Sequence, residues 1–351
     1  MTTVDHSLEI SNYDYDLPED RIAQEGVEPR DSARLMVLDR KHQSTAISTV
    51  RQIPEFLRRG DCLVLNDTRV GRCRLRGRIG ERSVEILTVR WEESSAQEWR
   101  VDAMVYPGKR FSPGVRVDLG PELSAWVEGM SDIGRWIIFN SSDGRTPIRD
   151  ILDRIGEVAL PPYVTNRAIA PDRYQTCYAR QSGSVAAPTA GLHFTPELFN
   201  RLTQTGISSA FLTLHVGPGT FRPVTARQME TGELHPEWYC LPEGAASAIK
   251  AARDRGGRIV VVGTTVCRTL EWIQSRRGGV EADSGMTNLF IRDGFEFRVT
   301  DSLLTNFHLP RTSLLMLVCA LAGREFVLDA YQRAIEEKFR FYSFGDAMLI
   351  L

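Results

Sequence analysis

Residues 67–150 read as a run of short strands with no helix between them, and this block most limits how the chain can fold. RCRLRGRI (72–79), SVEILTVRW (83–91), EWRVDAMV (98–105), VRVDL (115–119), SAWVEGM (124–130) and IGRWIIF (133–139) follow one another, many of them separated by Gly, Pro or Ser. Short strands at this spacing, joined by turn residues, predict a small antiparallel barrel or sandwich. On either side the pattern changes. DCLVL (61–65) and IVVV (259–262) are continuous apolar runs, as expected of strands buried on both faces of a sheet.

Helical signals alternate with strands after residue 150. Thr195-Pro196-Glu197-Leu198 is a helix start, because Thr caps and Pro suits the first turn. Leu198, Phe199 and Leu202 then line one face, and Gly206 ends the helix. FLTLHV (211–216) reads as a strand, and 242–255 as an Ala-rich helix followed by Gly256-Gly257. Residues 266–275, 313–322 and 325–339 read as further helices. Strands alternating with helices predict an α/β layer. The expected fold class is therefore α/β. A mixed-sheet or barrel-like α/β domain is built from 1–66 and 151–351, with a small antiparallel β-barrel domain inserted at 67–150.

Composition narrows the class. The chain has 351 residues, 42% hydrophobic and 25% charged, close to a soluble globular protein and unlike a disordered or disulfide-stapled one. With 43 basic and 45 acidic side chains the net charge is −2. That argues against a general polyanion binder but permits a local basic surface. The first sixteen residues lack the basic start and apolar run of a signal peptide. The longest apolar stretch, 313–323, is too short to span a bilayer and is flanked by Arg311 and Arg324. A cytoplasmic protein without membrane association is expected. None of the six cysteines forms a C-x-x-C pair, so no structural zinc is expected, and each thiol is expected to be a small core residue.

Five loops, each following an apolar segment, combine small, polar and His residues. They are Asn66-Asp67-Thr68-Arg69; the segment 187–194 with Thr189, Gly191 and His193; His215 leading into Gly217, Gly219 and Thr220; Gly263-Thr264-Thr265; and Thr305-Asn306-Phe307-His308. In open α/β sheets, ligands bind beyond the carboxyl ends of strands, where such loops gather. His193, His215 and His308 are acid–base candidates near neutral pH. Thr264 and Thr265 stand where helix N–H groups hold an anion such as a carboxylate. Gly217 and Gly219 allow close backbone approach. Asp67 suits a ribose hydroxyl and Arg69 a phosphate. Plainer readings stand beside these: a loop His is often a hydrogen-bonded structural residue, Asn66 and Asp67 can simply organise a turn, and Gly263-Thr264-Thr265 can be an ordinary cap.

Arginine is concentrated before and within the first barrel strand. Arg72, Arg74, Arg76 and Arg78 recur at period two, which in a strand places them on one face. A nucleic-acid backbone would balance that charge. So would Glu85, Glu92 or Glu93 on a neighbouring strand, and charge patterning does not choose between the two.

The same segments carry a family resemblance. YDLPEDRIAQ (15–24), NDTRV (66–70), LPPYV (160–164), DRYQTCYA (172–179), GSVAAPTAGLHFT (183–195), TLHVGPGTFRPV (213–224), TNFHLPRTSLLMLV (305–318) and FRFYSFGDAMLI (339–350) occur in order along nearly the whole chain. In them the sequence resembles the S-adenosylmethionine:tRNA ribosyltransferase-isomerases of queuosine biosynthesis. The resemblance implies an α/β domain with a β-barrel domain and a monomer. It implies no cofactor beyond S-adenosylmethionine, consumed as substrate, and no metal. The partner it implies is a tRNA carrying 7-aminomethyl-7-deazaguanine at the wobble position, with epoxyqueuosine-tRNA, adenine and methionine as products. Under it, His193 becomes the first candidate base, with His215 and His308 secondary. Asn66, Asp67, Thr68, Arg69, Thr189, Gly191, Gly217, Gly219, Thr220, Thr264, Thr265 and Asn306 become candidates for binding S-adenosylmethionine and the base. Arg72, Arg74, Arg76 and Arg78 become tRNA-binding candidates.

The chain departs from the family pattern in places. Gly71-Arg72-Cys73-Arg74 stands for Ile-Pro-Ala-Arg, Val266-Cys267-Arg268 for Ser-Val-Arg, and Asn288 for an Asp. An S-adenosylmethionine-dependent RNA methyltransferase would normally show a Gly-rich loop after the first strand, and none is present. A non-catalytic RNA-binding protein is the other alternative.

Overall fold

A computed structural model describes residues 10–166, 169–217, 219 and 223–351. Two compact units divide the chain. One holds 1–69, 161–181 and 187–351, and the other holds 70–160 and 182–186.

The first unit is built on strands that are buried on both faces. Cys62–Asn66, Ile259–Val262, Ser302–Asn306 and Ala347–Ile350 are buried at every position. Among the described residues they lie inside a nine-stranded sheet. From edge to edge its order is Asp283–Leu289, Glu233–Leu241, Ser208–Leu214, Cys62–Asn66, Ile259–Val262, Ser302–Asn306, Ala347–Ile350, Arg34–Asp39 and Ser44–Thr49. The four strands from Ser208–Leu214 to Ser302–Asn306 are mutually parallel, while both ends of the sheet contain antiparallel pairs. The sheet is therefore mixed.

Strand alternation assigns the two faces. Leu63, Leu65, Val260, Val262, Leu304 and Leu349 share one apolar cluster with Ala190, Phe194, Leu198 and Leu202. Their neighbours Cys62, Val64, Val261 and Leu303 are buried on the opposite face. Helices Glu243–Asp254 and Thr264–Arg277 pack against these strands. The Thr195 hydroxyl caps helix Pro196–Gln204 by accepting from Leu198 N–H at 3.1 Å. Helix Thr264–Arg277 starts two residues before the segment expected from sequence and ends two after it. Helix Arg324–Glu336 stops short of Phe339, which is fully buried.

The second unit is a closed antiparallel barrel, ordered Arg135–Ser141, Glu98–Tyr106, Arg82–Ser95, Arg74–Ile79, Arg116–Asp118 and Leu123–Met130. Its interior takes alternate residues, including Val84 and Ile86, Val101 and Ala103, Ala125 and Val127, and Ile137 and Phe139. Helix Ile148–Ile155 adds Ile148 and Ile151 to the same core, so the unit extends past residue 150. Arg72 precedes the first barrel strand rather than lying in it. The cysteines split: Cys62, Cys73, Cys267 and Cys319 are buried, Cys240 is half-buried and Cys177 is exposed. The expectation of six core thiols is corrected on these last two.

One buried charge holds the entry to the central strand. Asp61 is 1% exposed. It accepts from Arg58 N–H at 2.8 Å, Arg258 N–H at 2.9 Å and the Arg258 guanidinium at 2.7 Å. Burial alone would raise its carboxyl, but these bonds outweigh burial and hold it below the usual carboxylate range. Asp61→Ala leaves a partly buried guanidinium unpaired, so urea unfolding should show a loss of about 3 kcal/mol.

Candidate functional site

Four consecutive parallel strands end on one edge of the sheet, and their carboxyl ends deliver Leu214-His215, Asn66, Gly263 and Asn306. Asn66 joins three of these ends. Its side-chain carbonyl accepts from Leu214 N–H at 3.0 Å and Thr68 N–H at 3.1 Å. Its amide donates to Leu214 C=O at 2.9 Å and the Thr265 hydroxyl at 3.4 Å. Asn66 therefore organises the edge. Asp67 is also committed, accepting from the Thr213 hydroxyl at 2.7 Å with the Arg180 guanidinium at 3.5 Å. Arg69 is exposed.

Thr68 brings in the first histidine: its hydroxyl lies 2.8 Å from His215 Nδ1. The His215 ring stacks on Trp238 at 4.9 Å between centroids. Gly217 N–H donates to Glu237 at 2.8 Å. The other Glu237 oxygen meets the Arg268 guanidinium at 2.7 Å, and Arg268 Nε donates to Leu289 C=O at 3.0 Å. Both members of this ion pair are buried. Gly219 is half-buried, and Thr220 lies outside the described residues.

Gly263 stands at φ +91°, a conformation open to glycine and strained for other residues. It starts helix Thr264–Arg277 with no side-chain cap, so first-turn N–H groups carry the positive end of the helix dipole without a side-chain acceptor. Thr264 and Thr265 are buried there. A side chain on Gly263 would stand 3.7 Å from Ala190 Cβ, which places the Thr189–His193 turn beside this helix start. Thr189 is half-buried. Gly191 answers to packing: a Cβ there would fall 2.0 Å from the Tyr178 hydroxyl.

His193 is 5% exposed, and its Nε2 lies 3.3 Å from the Asn306 amide nitrogen. That amide also donates to Tyr342 C=O at 3.0 Å. Tyr342 has φ +73°, an uncommon state for a bulky residue and a marker of local constraint. His193 opens on a small cleft that also involves Arg30, Arg173, Ser343 and Phe344. Burial lowers its pKa to about 4, with Asp346 and a hydrogen bond to the Arg30 backbone pulling up and the Arg340 and Arg30 charges pulling down. Its imidazole is neutral at pH 7.

His308 is placed differently. Its Nε2 meets the Thr305 hydroxyl at 2.9 Å, and its backbone N–H donates to the Tyr331 hydroxyl at 3.0 Å. The Tyr15 hydroxyl donates to its carbonyl. It sits beside an aromatic cluster of Tyr15, Phe307, Tyr331 and Phe341. The edge thus gathers Asn66, Thr68, His215, Thr265, His193 and Asn306, and sets His308 apart in packing.

Sequence reasoning missed Glu237 and Tyr342 as parts of this edge, and named Arg268 only within a family motif. A signal existed for Tyr342, inside FRFYSFGDAMLI. Glu237 had none, because its partner Arg268 is distant in the chain. Among the described residues, no group of three or more His, Cys, Asp or Glu is arranged to hold a metal ion. No helix among them is long and apolar enough to cross a membrane.

In the second unit, Arg74 pairs with Glu85 at 3.2 Å and Arg76 with Glu157 at 3.1 Å. Arg72 donates to Gly156 C=O at 3.2 Å. Arg78 is exposed, opposite Asp118 in the ladder. Half of the arginine row is thus neutralised within the barrel unit.

Burial lowers all three loop histidines, His193 and His215 to about 4 and His308 to about 3. The unfolded chain takes up these protons near pH 6.5 while the folded chain does not. Their contribution to stability is therefore complete above about pH 6.5 and lost as pH falls toward 4. Between about pH 6 and 5, unfolding free energy should drop by roughly 1 kcal/mol per pH unit for each group. His308→Gln should make that slope shallower in urea titrations.

Comparison with known proteins adds identity to this geometry. The family model described as "Queuosine biosynthesis protein" matches residues 10–350. A protein of Thermus thermophilus named S-adenosylmethionine:tRNA ribosyltransferase-isomerase is 51% identical over 349 residues, covering 97% of this chain and 98% of its own. One of the same name from Moorella thermoacetica is 47% identical over 348 residues, covering 98% and 100%. The crystal structure of an S-adenosylmethionine tRNA ribosyltransferase from Thermotoga maritima is 38% identical, with a TM-score of 0.55, covering 97% of this chain and 100% of that one. The chain belongs to the queuosine biosynthesis protein family, a family of enzymes whose curated relatives here carry the name S-adenosylmethionine:tRNA ribosyltransferase-isomerase.

Proposed function

We propose that the protein transfers and isomerises the ribosyl unit of S-adenosylmethionine onto 7-aminomethyl-7-deazaguanine at the wobble position of a tRNA. The products are epoxyqueuosine-tRNA, adenine and methionine. The enzyme in this reading is a cytoplasmic monomer that needs no metal. One observation carries it: in a chain of this family, the NDTR, TLHVG, GTT and TNFH segments meet at the carboxyl ends of adjacent parallel strands.

The reaction makes proton demands. A sulfonium acidifies the neighbouring ribose methylene, so a base must take that proton. The acceptor amine must lose a proton to attack, and the leaving adenine needs one. His193 is the proposed base. Its imidazole is neutral, and so able to take up a proton, at pH 7, and the Asn306 amide, braced by Tyr342 C=O, donates to Nε2 and orients the ring. His215 is a second candidate, held by Thr68 and Trp238. His308 is proposed to act through packing, given its partners Thr305 and Tyr331. The uncapped start of Thr264–Arg277 suits the methionine carboxylate.

An unpaired wobble base can be splayed out for reaction. The row Arg72, Arg74, Arg76 and Arg78 is proposed to meet the tRNA backbone, with Arg74 and Arg76 exchanging Glu85 and Glu157 for phosphate. An Arg74→Ala, Arg76→Ala double variant should bind tRNA more weakly at low salt and show a smaller salt slope; unchanged affinity would contradict the contact.

Mass spectrometry of a reaction with S-adenosylmethionine and the aminomethyl-deazaguanine tRNA tests the whole reading. Adenine and methionine released with an epoxyqueuosine nucleoside are expected. S-adenosylhomocysteine would point to methyl transfer, and no product from folded protein to binding alone. His193→Ala should abolish turnover while keeping the circular-dichroism spectrum; near-normal turnover would remove His193 from this role.

A further inference from the structure

The barrel unit has a groove that, Arg72 apart, none of the chemistry above uses. It is a shallow groove open to solvent rather than an enclosed cavity, so it offers a wall for a flat ring rather than a chamber that surrounds a ligand. Cys73, Thr88, Leu152 and Val185 contribute to its lining, as do Trp91, Trp99, Arg72, Arg149 and Asp153.

The aromatic part is specific. Trp91 lies parallel to Trp99, with centroids 5.5 Å apart and planes 7° apart. Trp99 is buried in the barrel core, whereas Trp91 is half-buried. A rigid indole backed by a second indole is a ready stacking platform for a flat ring. The charges are mixed. Arg149, Leu152 and Asp153 recur at i, i+3 and i+4 of helix Ile148–Ile155, so they share one helix face. Arg149 is 59% exposed and lies 3.4 Å from Glu93. Arg72 is exposed and gives one donor to Gly156 C=O, leaving the rest of a five-donor guanidinium for other acceptors.

We propose that this groove is a subsite for an unpaired nucleobase of the RNA substrate together with a neighbouring phosphate. The base stacks on Trp91. Arg72 and Arg149 take phosphate oxygens, and Asp153 accepts from a base N–H. Stacking supplies affinity without demanding one base identity, because every base has a π face. A carboxylate at the wall favours bases that present N–H donors. A purely phosphate-binding surface would need neither the paired indoles nor Asp153. The inference rests on the reading that the substrate is a tRNA, and it gives the barrel a base-reading role beyond backbone neutralisation by the arginine strand.

The test is fluorescence anisotropy with a labelled anticodon stem–loop RNA and the full-length chain. Trp91→Ala and Arg149→Ala should each weaken binding about tenfold. Trp91→Phe should recover much of the loss, and a blunt RNA duplex without a loop should compete poorly. Because Trp91 also packs against the barrel interior, a Trp91→Ala chain that does not fold leaves the exposed Arg149→Ala variant to decide. If both variants bind as the parent does, the subsite is wrong and the tRNA reading stands. If the parent chain binds no stem–loop at all, the subsite and the tRNA reading fall together.

Discussion

The candidate site depends on one buried side chain, Asn66. At 1% exposure its amide has no access to water, so each missing bond would carry a desolvation cost of about 1–3 kcal/mol. It satisfies itself on the N–H and C=O of Leu214, the N–H of Thr68 and the hydroxyl of Thr265. Those partners belong to a neighbouring strand end, the start of the short strand Thr68–Val70 that follows its own, and a helix start. Their relative positions are therefore coupled through a single planar group. Thr68, placed this way, is the residue that meets His215.

A second brace works beside the first. Asn306 is the last residue of a strand buried at every position, and it ties His193 to the carbonyl of Tyr342, itself held at positive φ. Both braces lie where strands finish, so the groups they hold share one edge. Burial there has an electrostatic result: the histidines stay neutral at pH 7. The buried ions at this edge, Glu237 and Arg268, are matched to one another and to the backbone of Gly217 and Leu289. A site held this way is organised before a ligand arrives, which suits chemistry that moves several protons.

Much of the framework was legible because its signals are local. DCLVL and IVVV have no polar alternation, and both became central strands. Thr195 caps the helix that begins at the next residue. The barrel strands appeared close to their expected places because alternation and turn residues need only a few neighbours to be read. The site was legible as a set of loops but not as a set of contacts. Arg72 and Arg76 looked equivalent in a period-two row, yet one meets a backbone carbonyl and the other Glu157. His193 and His308 looked alike, yet one faces a cleft and the other a tyrosine-rich core.

Local order along the chain settled which segments are strands and helices, and the succession of motifs settled the family. Short-range forces act between near neighbours, so both could be read from residues in order. Pairing was settled by the folded path. Asn66 with Leu214 and Thr265, His193 with Asn306, and Gly191 against Tyr178 are partners that hydrogen-bond geometry or steric fit accepts only after the sheet brings their segments together. Whether a polar side chain meets a ligand, a backbone group or another side chain depends on which of these is within about 3 Å, and that distance is a property of the fold.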